Sequence, residues 1–508
     1  MFEGGPTSRA DAPLLTRPLR LCALLIGVLT VLRLAALALS PWELSQDETQ
    51  YWFWAQTPAF GYFSKPPLIA WIIAATTSVF GDTEFGVRAA APLFHGATAL
   101  MLAAFANRLF GAKAAVTAAL LWAFAPAVSI SSHLMSTDVP LLFFWSSALY
   151  TAYVLISAER ANWALGGTLG VLFGAGFLAK YAMIYFPLGL AAAMAISPRL
   201  RRPGSIALIA ALPPAALLIT PNILWNQENA FSTVSHTAAN AAWDGNMLNP
   251  DRLLAFWGTQ FAVIGPIALL ALLWAGATLR SRLAETPDAD KRAAMLYLVA
   301  TAAPPLLLVS IQAFLSRAHA NWAASAYPAA AVLLAAMLAT RPKFAAATIS
   351  ANAVIFAGLA FAALSPQRIE ATTGLSLFAE VRGWREQAAA IASYAEGYDV
   401  VLADDRAVMG ALLFYERDLP KPVKAWSPNR AANHHYEAFE AYRPMRNDQA
   451  LYASRHFPAT PPVRRAFNMI APIGTVAAPA GAQNRELYLF RLSDVRDDAF
   501  NIAEAPQN

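Results

Sequence analysis

Two adjacent acids, Asp47 and Glu48, follow directly on a long apolar run in the stretch LSQDETQYWFWAQTPAFGYFSKPP, residues 44 to 67. Carboxylates at the end of a membrane helix repel each other and lose hydration, which is costly if the site is dry. A helix cap needs only one of the two, so capping alone does not explain the pair. The two acids therefore indicate chemistry at a membrane surface.

Ionisable side chains also stand at the same ends of later apolar segments. Singly, the bases among them are equally well explained as anchors at the membrane surface. Together they describe one outer pocket that mixes cations with carboxylates, which suits a lipid-linked phosphate approached by a nucleophile. The candidate catalytic residues are Asp47, Asp138 and Glu48, and the candidate substrate-binding residues are Lys65, Arg88, Lys180, Arg317, His319 and Tyr51.

The amino-acid composition indicates that these charges belong to a membrane protein. The chain of 508 residues is 57% hydrophobic and only 14% charged, with a mean hydropathy of +0.43, so it is too apolar for a water-soluble enzyme. Its net charge of +5 does not indicate a nucleic-acid partner, because the bases cluster in short segments between apolar stretches. The single cysteine, Cys22, leaves no disulfide framework and no cysteine metal cluster.

Apolar segments of spanning length predict a polytopic α-helical membrane protein with about 11 to 13 transmembrane helices. Residues 1–364 form the predicted membrane domain, and its first outer loop is residues 41–88. The predicted spans are residues 21–40, 89–107, 114–131, 139–157, 163–179, 181–197, 205–221, 256–279, 293–316, 323–340 and 344–364.

Arginine and lysine concentrate in alternate loops, and the positive-inside rule assigns those loops to the cytoplasm. The opposite, periplasmic side then receives the first loop and everything after residue 365. A competing interpretation of the first span is a cleaved signal peptide, since AALALS offers a cleavage site, but Asp47 lies outside in both cases. Residues 68–80 are too short to span and are expected to lie along the membrane interface or to re-enter.

Beyond residue 365 charges become frequent and apolar runs shrink to strand length. YDVVLADD followed by RAVMGALLFYER predicts a strand and then an amphipathic helix, and RELYLFRL predicts a late strand. Residues 365–508 are therefore predicted to form a soluble periplasmic α/β domain. Its His434 and His435, with His456, suggest either a metal site or, as the commoner meaning, an exposed basic loop.

The charged stretches resemble a known family when they are taken in order. DETQYW, SKPPLIAW, GDTEFGVRAAAPLF, STDVPLLFFW and GAGFLAKYAMIYFP are similar to segments of the bacterial branch of the glycosyltransferase C superfamily. Within it, the chain resembles the dolichyl-phosphate-mannose protein mannosyltransferase family, and especially its relatives similar to the aminoarabinose transferase of lipid A. The resemblance extends over about residues 20 to 340.

The resemblance implies a transferase in the bacterial inner membrane that moves a sugar from a polyprenyl-phosphate carrier to a lipid or glycan acceptor on the periplasmic face. Asp47 matches the family's catalytic aspartate and would orient or deprotonate the acceptor hydroxyl, which gives inversion. Lys65, Lys180 and Arg317 would stabilise the departing phosphate. Asp138 would be a supporting acid, and Glu48 would bind an arginine or lysine within the pocket.

Several alternatives stay open at this point. A divalent metal bridging Asp47, Glu48 and Asp138 competes with a metal-independent site in which the nearby bases balance the charge. His133, His236 and His319 face the same side and are explained as contributors to the site or as interfacial hydrogen-bonding residues. A transporter or flippase of polyprenyl-linked sugars would also need charges near a lipid headgroup, although transporters usually hold them near the membrane midplane. A membrane scaffold explains the soluble tail but not the acid pair.

Overall fold

Long apolar segments become helices because backbone polar groups in hydrocarbon must find partners within their own segment. The protein is described by a computed structural model covering residues 17–240, 248–374, 378–427, 432–445 and 447–496. Up to residue 364 its α-helices are α1 Arg17–Ala38, α2 Gln46–Ala55, α3 Leu68–Phe80, α4 Glu84–Arg88, α5 Ala90–Phe110, α6 Ala112–Ala123, α7 Pro126–Ser131, α8 Asp138–Ile156, α9 Trp163–Ala179, α10 Tyr185–Ile196, α11 Leu212–Glu228, α12 Ser232–Asn240, α13 Pro250–Ile264, α14 Pro266–Ala277, α15 Leu279–Glu285, α16 Ala289–Leu315, α17 Tyr327–Leu338 and α18 Pro342–Leu364. Short 3-10 helices cover Tyr181–Ile184, Pro198–Leu200, Pro203–Ala211 and Ala320–Ala326.

The structure confirms an α-helical membrane protein and refines the predicted spans. Among the described residues, seven helices are long and apolar enough to cross a membrane, or eight if one bent pair is counted as a span. The seven correspond to predicted spans and are Pro18–Ala38, Glu84–Phe110, Asp138–Ile156, Pro203–Glu228, Ala289–Leu315, Ala320–Leu338 and Pro342–Leu364. The other four predicted segments are shorter or broken.

Two of the breaks have a local chemical cause. The segment predicted at 114–131 is divided between α6 and α7 because Pro126 lacks the N–H that would continue the helix. Arg33 of α1 donates to the carbonyl of Ala123 that this break leaves free. The segment predicted at 256–279 is not one straight span, since α13 and α14 meet at 116° around Gly265, whose φ of +97° favours glycine.

The predicted separation at Lys180 is present, because its backbone is extended between α9 and the following 3-10 turn. Loops that the charge pattern assigns to one side also meet in space. Arg202, before α11, donates to Glu159 at 2.6 Å and to Asp290 of α16 at 2.8 Å, and Arg199 reaches Asp290 at 2.8 Å. The end of α8 and the start of α16 therefore lie at the same end of the helical bundle.

The first outer loop folds into α2, α3 and α4 and is held against α11 and α12. The side chain of Asn222 donates to the carbonyl of Phe60 at 2.7 Å, and the Thr233 hydroxyl donates to the carbonyl of Tyr62 at 2.6 Å. The ring of Tyr62 stacks on that of Trp54 with centroids 4.7 Å apart. These contacts fix the connection between α2 and α3, which carries Lys65.

The C-terminal region is a mixed α/β arrangement. Within the described residues a five-stranded sheet has the order β2-β1-β3-β5-β4, in which β1 is parallel to β2 and β3, while β5 is antiparallel to β3 and β4. The elements are α19 Pro366–Thr373, 3-10 turn Ala379–Val381, α20 Trp384–Ser393, β1 Val400–Ala403, α21 Arg406–Tyr415, β2 Val423–Ala425, α22 His435–Phe439, β3 Ala450–Ser454, α23 Pro461–Ala466, β4 Phe467–Ala477 and β5 Glu486–Val495. The predicted strand-then-helix at β1 and α21 and the predicted late strand β5 are confirmed.

The C-terminal region packs directly on the first outer loop through α21 and α2. The two helices approach closely at Gly410, where an added Cβ would lie 2.2 Å from the Thr49 hydroxyl oxygen. The backbone N–H of Leu44 donates to the Tyr415 hydroxyl at 2.8 Å, and the rings of Trp52 and Phe414 meet edge to face at 4.9 Å. The absence of a side chain at Gly410 lets the two helices touch.

His435 belongs to this interface, so the expectation of an exposed histidine loop is wrong for this residue, whereas His456 is exposed. Its side chain is buried, its ring stacks on Phe439 at 4.6 Å, and it meets the ring of Trp54 in α2 edge to face at 5.5 Å. Burial, with a contribution from the neighbouring His434, lowers the pKa of His435 to about 3. His435 is therefore neutral and contributes an apolar contact between the C-terminal region and α2.

Candidate active site

Glu48 and Arg88 form a buried ion pair beneath the site. Arg88 donates to both carboxylate oxygens of Glu48 at 2.7 Å and to the carbonyls of Trp42 and Glu43 at 2.9 and 2.7 Å. Glu48 also accepts from the backbone N–H of Met135 at 2.9 Å. With exposures of 1% and 0%, these side chains are out of reach of a substrate in this structure, which contradicts a catalytic Glu48 and a substrate-binding Arg88. The expected pairing of Glu48 with a pocket base is present.

Asp138 lies in the first turn of α8 with both carboxylate oxygens engaged. Lys180, at the end of α9, donates to one oxygen at 2.7 Å, and the side-chain amide of Asn321 donates to the other at 2.7 Å. Three segments distant in sequence therefore meet at one carboxylate. The Asn321 contact brings the turn that holds Arg317 and His319 to the site.

Asp47 lies one residue before Glu48, but its side chain points to a different partner. Its Oδ1 atom accepts from the guanidinium of Arg406, the first residue of α21 in the C-terminal region. No hydrogen bond to Oδ2 occurs among the residues that the structure describes. The Asp47 side chain is 54% exposed, so this oxygen is available to an incoming group.

Lys65 lies near the other charged residues of the site. The charges of Lys180, Asp47, Asp138 and Arg406 all act on its ammonium group. Burial lowers the pKa of Lys65, and Lys180 lowers it further. Within the described ranges its ammonium group makes no direct ion pair, whereas Lys180 and Arg406 each hold a carboxylate.

Tyr51 lies one helical turn after Asp47 on α2 and is 3% exposed. Burial raises its pKa well above the ordinary range, and the charge of Asp47 acts in the same direction. Among the other candidates, His319 and Arg317 are exposed in the turn after α16, where the ring of His319 contacts Trp322 at 5.2 Å. His133 is buried against Trp42. The ring of His236 lies 5.5 Å from that of Phe63, and burial, with the charge of Lys65, lowers the pKa of His236.

The three acids do not share one cation position. Asp47, Glu48 and Asp138 are each paired with a separate base, Arg406, Arg88 and Lys180 respectively. Throughout the described part of the chain, no group of three or more His, Cys, Asp or Glu side chains is arranged to hold a metal ion. The donor set at this pocket therefore does not fit a bridging divalent metal.

An apolar cavity of about 480 Å³ opens beside the charged pocket. Its walls come from α6, α7, α8, α13, α14 and α17, and Asp138 and Asn321 line it together with apolar side chains. Leu142, Val263 and Leu334 are among those apolar residues. Asp138 therefore belongs both to the charged pocket and to the wall of this cavity.

Two residues at the site were missed by sequence reasoning. Asn321 stands two residues after the candidate His319, so its position in the same outer turn was an available signal. Arg406 directly follows a predicted strand, and ligands in α/β sheets bind beyond the carboxyl ends of strands. Nothing in the sequence indicated that this strand end faces Asp47.

Comparisons with known proteins agree with this architecture. Residues 64–225 match the family described as dolichyl-phosphate-mannose-protein mannosyltransferase. The chain is 34% identical over 413 residues to the lipid A galacturonosyltransferase RgtD of Rhizobium johnstonii, covering 80% of this chain and 85% of that protein. It is 29% identical over 143 residues, 27% of each chain, to the undecaprenyl phosphate-alpha-4-amino-4-deoxy-L-arabinose arabinosyl transferase of Pseudomonas savastanoi pv. phaseolicola.

The fold is similar to that of a solved structure. ArnT from Cupriavidus metallidurans in the apo state superposes with a TM-score of 0.62 at 13% identity, covering 96% of this chain and 99% of that one. This likeness concerns the fold, and the sequence relationship over most of the chain comes from the galacturonosyltransferase. The chain therefore belongs to the dolichyl-phosphate-mannose-protein mannosyltransferase family of membrane glycosyltransferases.

Proposed function

We propose that the protein transfers one sugar from a polyprenyl-phosphate carrier to a hydroxyl of lipid A or a similar glycolipid, with inversion at the anomeric carbon. The observation that carries this proposal is the Lys180–Asp138 ion pair at the wall of an apolar cavity, with Asp47 and Lys65 near enough for the charges of Asp47, Asp138 and Lys180 to act on Lys65. The names of the relatives supply the substrate classes, since they include a lipid A galacturonosyltransferase and an undecaprenyl phosphate sugar transferase.

The donor is bound by its charge and by its hydrocarbon. Lys65 is the site cation without a direct ion pair in the described structure, so a phosphate can engage it without breaking an existing contact. The cavity beside Asp138 offers apolar walls to a polyprenyl or acyl chain. As the bond between the sugar and the phosphate breaks, the electron pair moves to the phosphate oxygen, and Lys65 stabilises that growing charge.

Asp47 is the proposed general base. Of the three site carboxylates, Glu48 is buried in its pair with Arg88 and Asp138 has both oxygens engaged, whereas Asp47 keeps one oxygen open among the described contacts. The acceptor oxygen attacks the anomeric carbon, its proton passes to Asp47, and the carrier phosphate leaves from the opposite face. A single base is sufficient for such a one-step inverting reaction, whereas a retaining route needs a second carboxylate as nucleophile.

Asp138 and the bases have supporting roles in this proposal. Asp138, held by Lys180 and Asn321, is fixed to accept hydrogen bonds from sugar hydroxyls. The charges of Asp47 and Asp138 both act on the buried Tyr51 hydroxyl. Arg317 and His319 lie in the exposed turn that Asn321 brings to Asp138, where they can bind an anionic headgroup. The reaction proceeds without a metal because the bases balance the phosphate charge.

We further propose that the site faces the periplasm of the bacterial inner membrane, with the sheet of the C-terminal region on the same side. The support is the alternation of basic loops and the gathering of Glu159, Arg199, Arg202 and Asp290 on one face of the bundle. A flippase is the competing function, but the ionisable cluster lies at one end of the helices, whereas transport sites lie near the midplane.

The test is transfer by the purified protein in detergent. A labelled undecaprenyl-phosphate sugar and lipid A are mixed with the wild type and with Asp47→Asn and Lys65→Ala variants. We expect transfer by the wild type, binding of donor without transfer by Asp47→Asn, and weakened donor binding by Lys65→Ala. Normal turnover by Asp47→Asn would overturn the mechanism, and relocation of the carrier in vesicles without cleavage would favour the flippase.

A further inference from the structure

The C-terminal region reaches into the active site through one side chain. Arg406 is the first residue of α21, and its guanidinium donates to Oδ1 of Asp47 on α2. We infer that Arg406 is a positioning residue for Asp47, so that the C-terminal α/β region completes the active site of the membrane domain. This inference rests on the proposed function, in which Asp47 takes the acceptor proton.

Arg406 is itself held in place by the strand ends around it. Asp405, the cap of α21, accepts from the backbone N–H groups of Ala407 and Val408 at 2.9 and 3.1 Å. Arg455, just beyond β3, pairs with Asp405 at 2.9 Å. Since β1 and β3 are adjacent and parallel, their carboxyl ends present these residues together toward α2. The backbone from which Arg406 extends is therefore fixed.

The packing beneath the contact keeps the two helices in register. Gly410 lies one helical turn beyond Arg406, and Thr49 lies two residues beyond Asp47, and these two positions are in contact. The buried ring of His435 meets Trp54 further along α2. The Arg406 to Asp47 contact therefore sits at the open end of an otherwise tightly packed interface.

The exposure of the pair decides what kind of effect it has. The side chains of Arg406 and Asp47 are 23% and 54% exposed, and ion pairs in such surroundings contribute little to stability because water screens them. The contact instead fixes the rotamer of Asp47 by holding one oxygen, which leaves the other directed to the acceptor. Loss of the guanidinium should therefore lower the rate of transfer more than it lowers the amount of folded protein.

The experiment compares full-length wild type with Arg406→Ala, Arg406→Lys and a matched control, Lys424→Ala. Lys424 of β2 pairs with Glu440 at 2.6 Å, and its side chain is 37% exposed, so its removal also breaks a partly exposed ion pair of the C-terminal region. Initial rates of sugar transfer are measured against donor concentration, with the melting temperature of each variant and with guanidinium ion added in parallel assays.

For Arg406→Ala we expect kcat to fall about tenfold to a hundredfold with an unchanged KM for the donor, as for a misplaced reacting group. Arg406→Lys should recover part of the rate, added guanidinium should recover part of it in Arg406→Ala, and Lys424→Ala should match the wild type. Two outcomes overturn the inference and leave the proposed function standing. In the first, the wild type is active and Arg406→Ala transfers sugar at the same rate. In the second, the rate of Arg406→Ala falls only in step with its melting temperature and guanidinium does not restore it. A wild type that transfers no sugar overturns the proposed function, and the inference falls with it.

Discussion

The guanidinium of Arg88 donates hydrogen bonds of 2.7 Å to both carboxylate oxygens of Glu48 in the interior of the protein. This contact joins α4, at the entry to a membrane span, to α2, which carries Asp47 on the adjacent position. Because Ser45 and Glu48 also form a reciprocal cap at the start of α2, the helix begins at a fixed point. One acid of the Asp47–Glu48 pair thus anchors the helix that presents the other.

Glu48→Gln should destabilise the protein before it affects chemistry. The substitution leaves the Arg88 charge buried without its partner, and breaking a buried pair in this way costs about 3–5 kcal/mol. We expect a lower melting temperature and poor recovery from detergent extraction. The matched control is Glu159→Gln, which breaks an ion pair whose carboxylate side chain is 70% exposed and should change the melting temperature little. Equal effects of the two substitutions would contradict the anchoring role.

Donor binding should weaken at high pH because of Lys65. Its pKa is lowered by burial and by Lys180, so its ammonium loses the proton at a lower pH than an ordinary lysine does. The affinity that needs this charge is present at lower pH and is lost as the pH rises through the lowered pKa. In Lys65→Arg the charge persists, because guanidinium stays protonated. Donor binding normalised to its own maximum should therefore extend to higher pH in that variant, and coincident profiles would refute the assignment.

Gly410 should not tolerate a side chain. A Cβ there would lie 2.2 Å from the Thr49 hydroxyl oxygen and 2.9 Å from its Cβ, so the interface between α21 and α2 must open. We expect Gly410→Val to lower stability by about 1–3 kcal/mol, as overpacking does, and to reduce transfer by moving Arg406 from Asp47. The double variant Gly410→Ala with Thr49→Gly should lose less than Gly410→Ala alone, and equal losses would exclude this collision as the cause.

Filling the apolar cavity should reduce donor use without unfolding the protein. Ala331 of α17 lines the cavity, and Ala331→Phe would occupy part of its volume of about 480 Å³. The expected result is a raised KM for the donor with a melting temperature close to that of the wild type. Ala347→Phe, on an exposed part of α18, is the control for adding a large apolar side chain. An unchanged KM in Ala331→Phe would show that the cavity does not hold the donor chain.

Local sequence was sufficient for the longest helices and for one contact of the candidate site. Membrane spans depend on long apolar runs, so seven predicted spans have counterparts among the described helices of spanning length. Asp138 and Lys180 were predicted to belong to one pocket, and they are in direct contact. The shape of the segment around Gly265 could not be predicted, because composition gives the length of an apolar segment but not the angle at a break within it.

The sequence by itself determined a helical membrane protein with acids and bases at one end of its spans, because hydrophobic length and charge placement are properties of local stretches. Only the tertiary structure decided which carboxylate stays open. Glu48 and Asp47 are neighbours in the chain, yet the helix turns one inward to Arg88 and the other outward to Arg406. Partners that lie 40 and 359 residues away along the chain are chosen by packing, which no local pattern encodes.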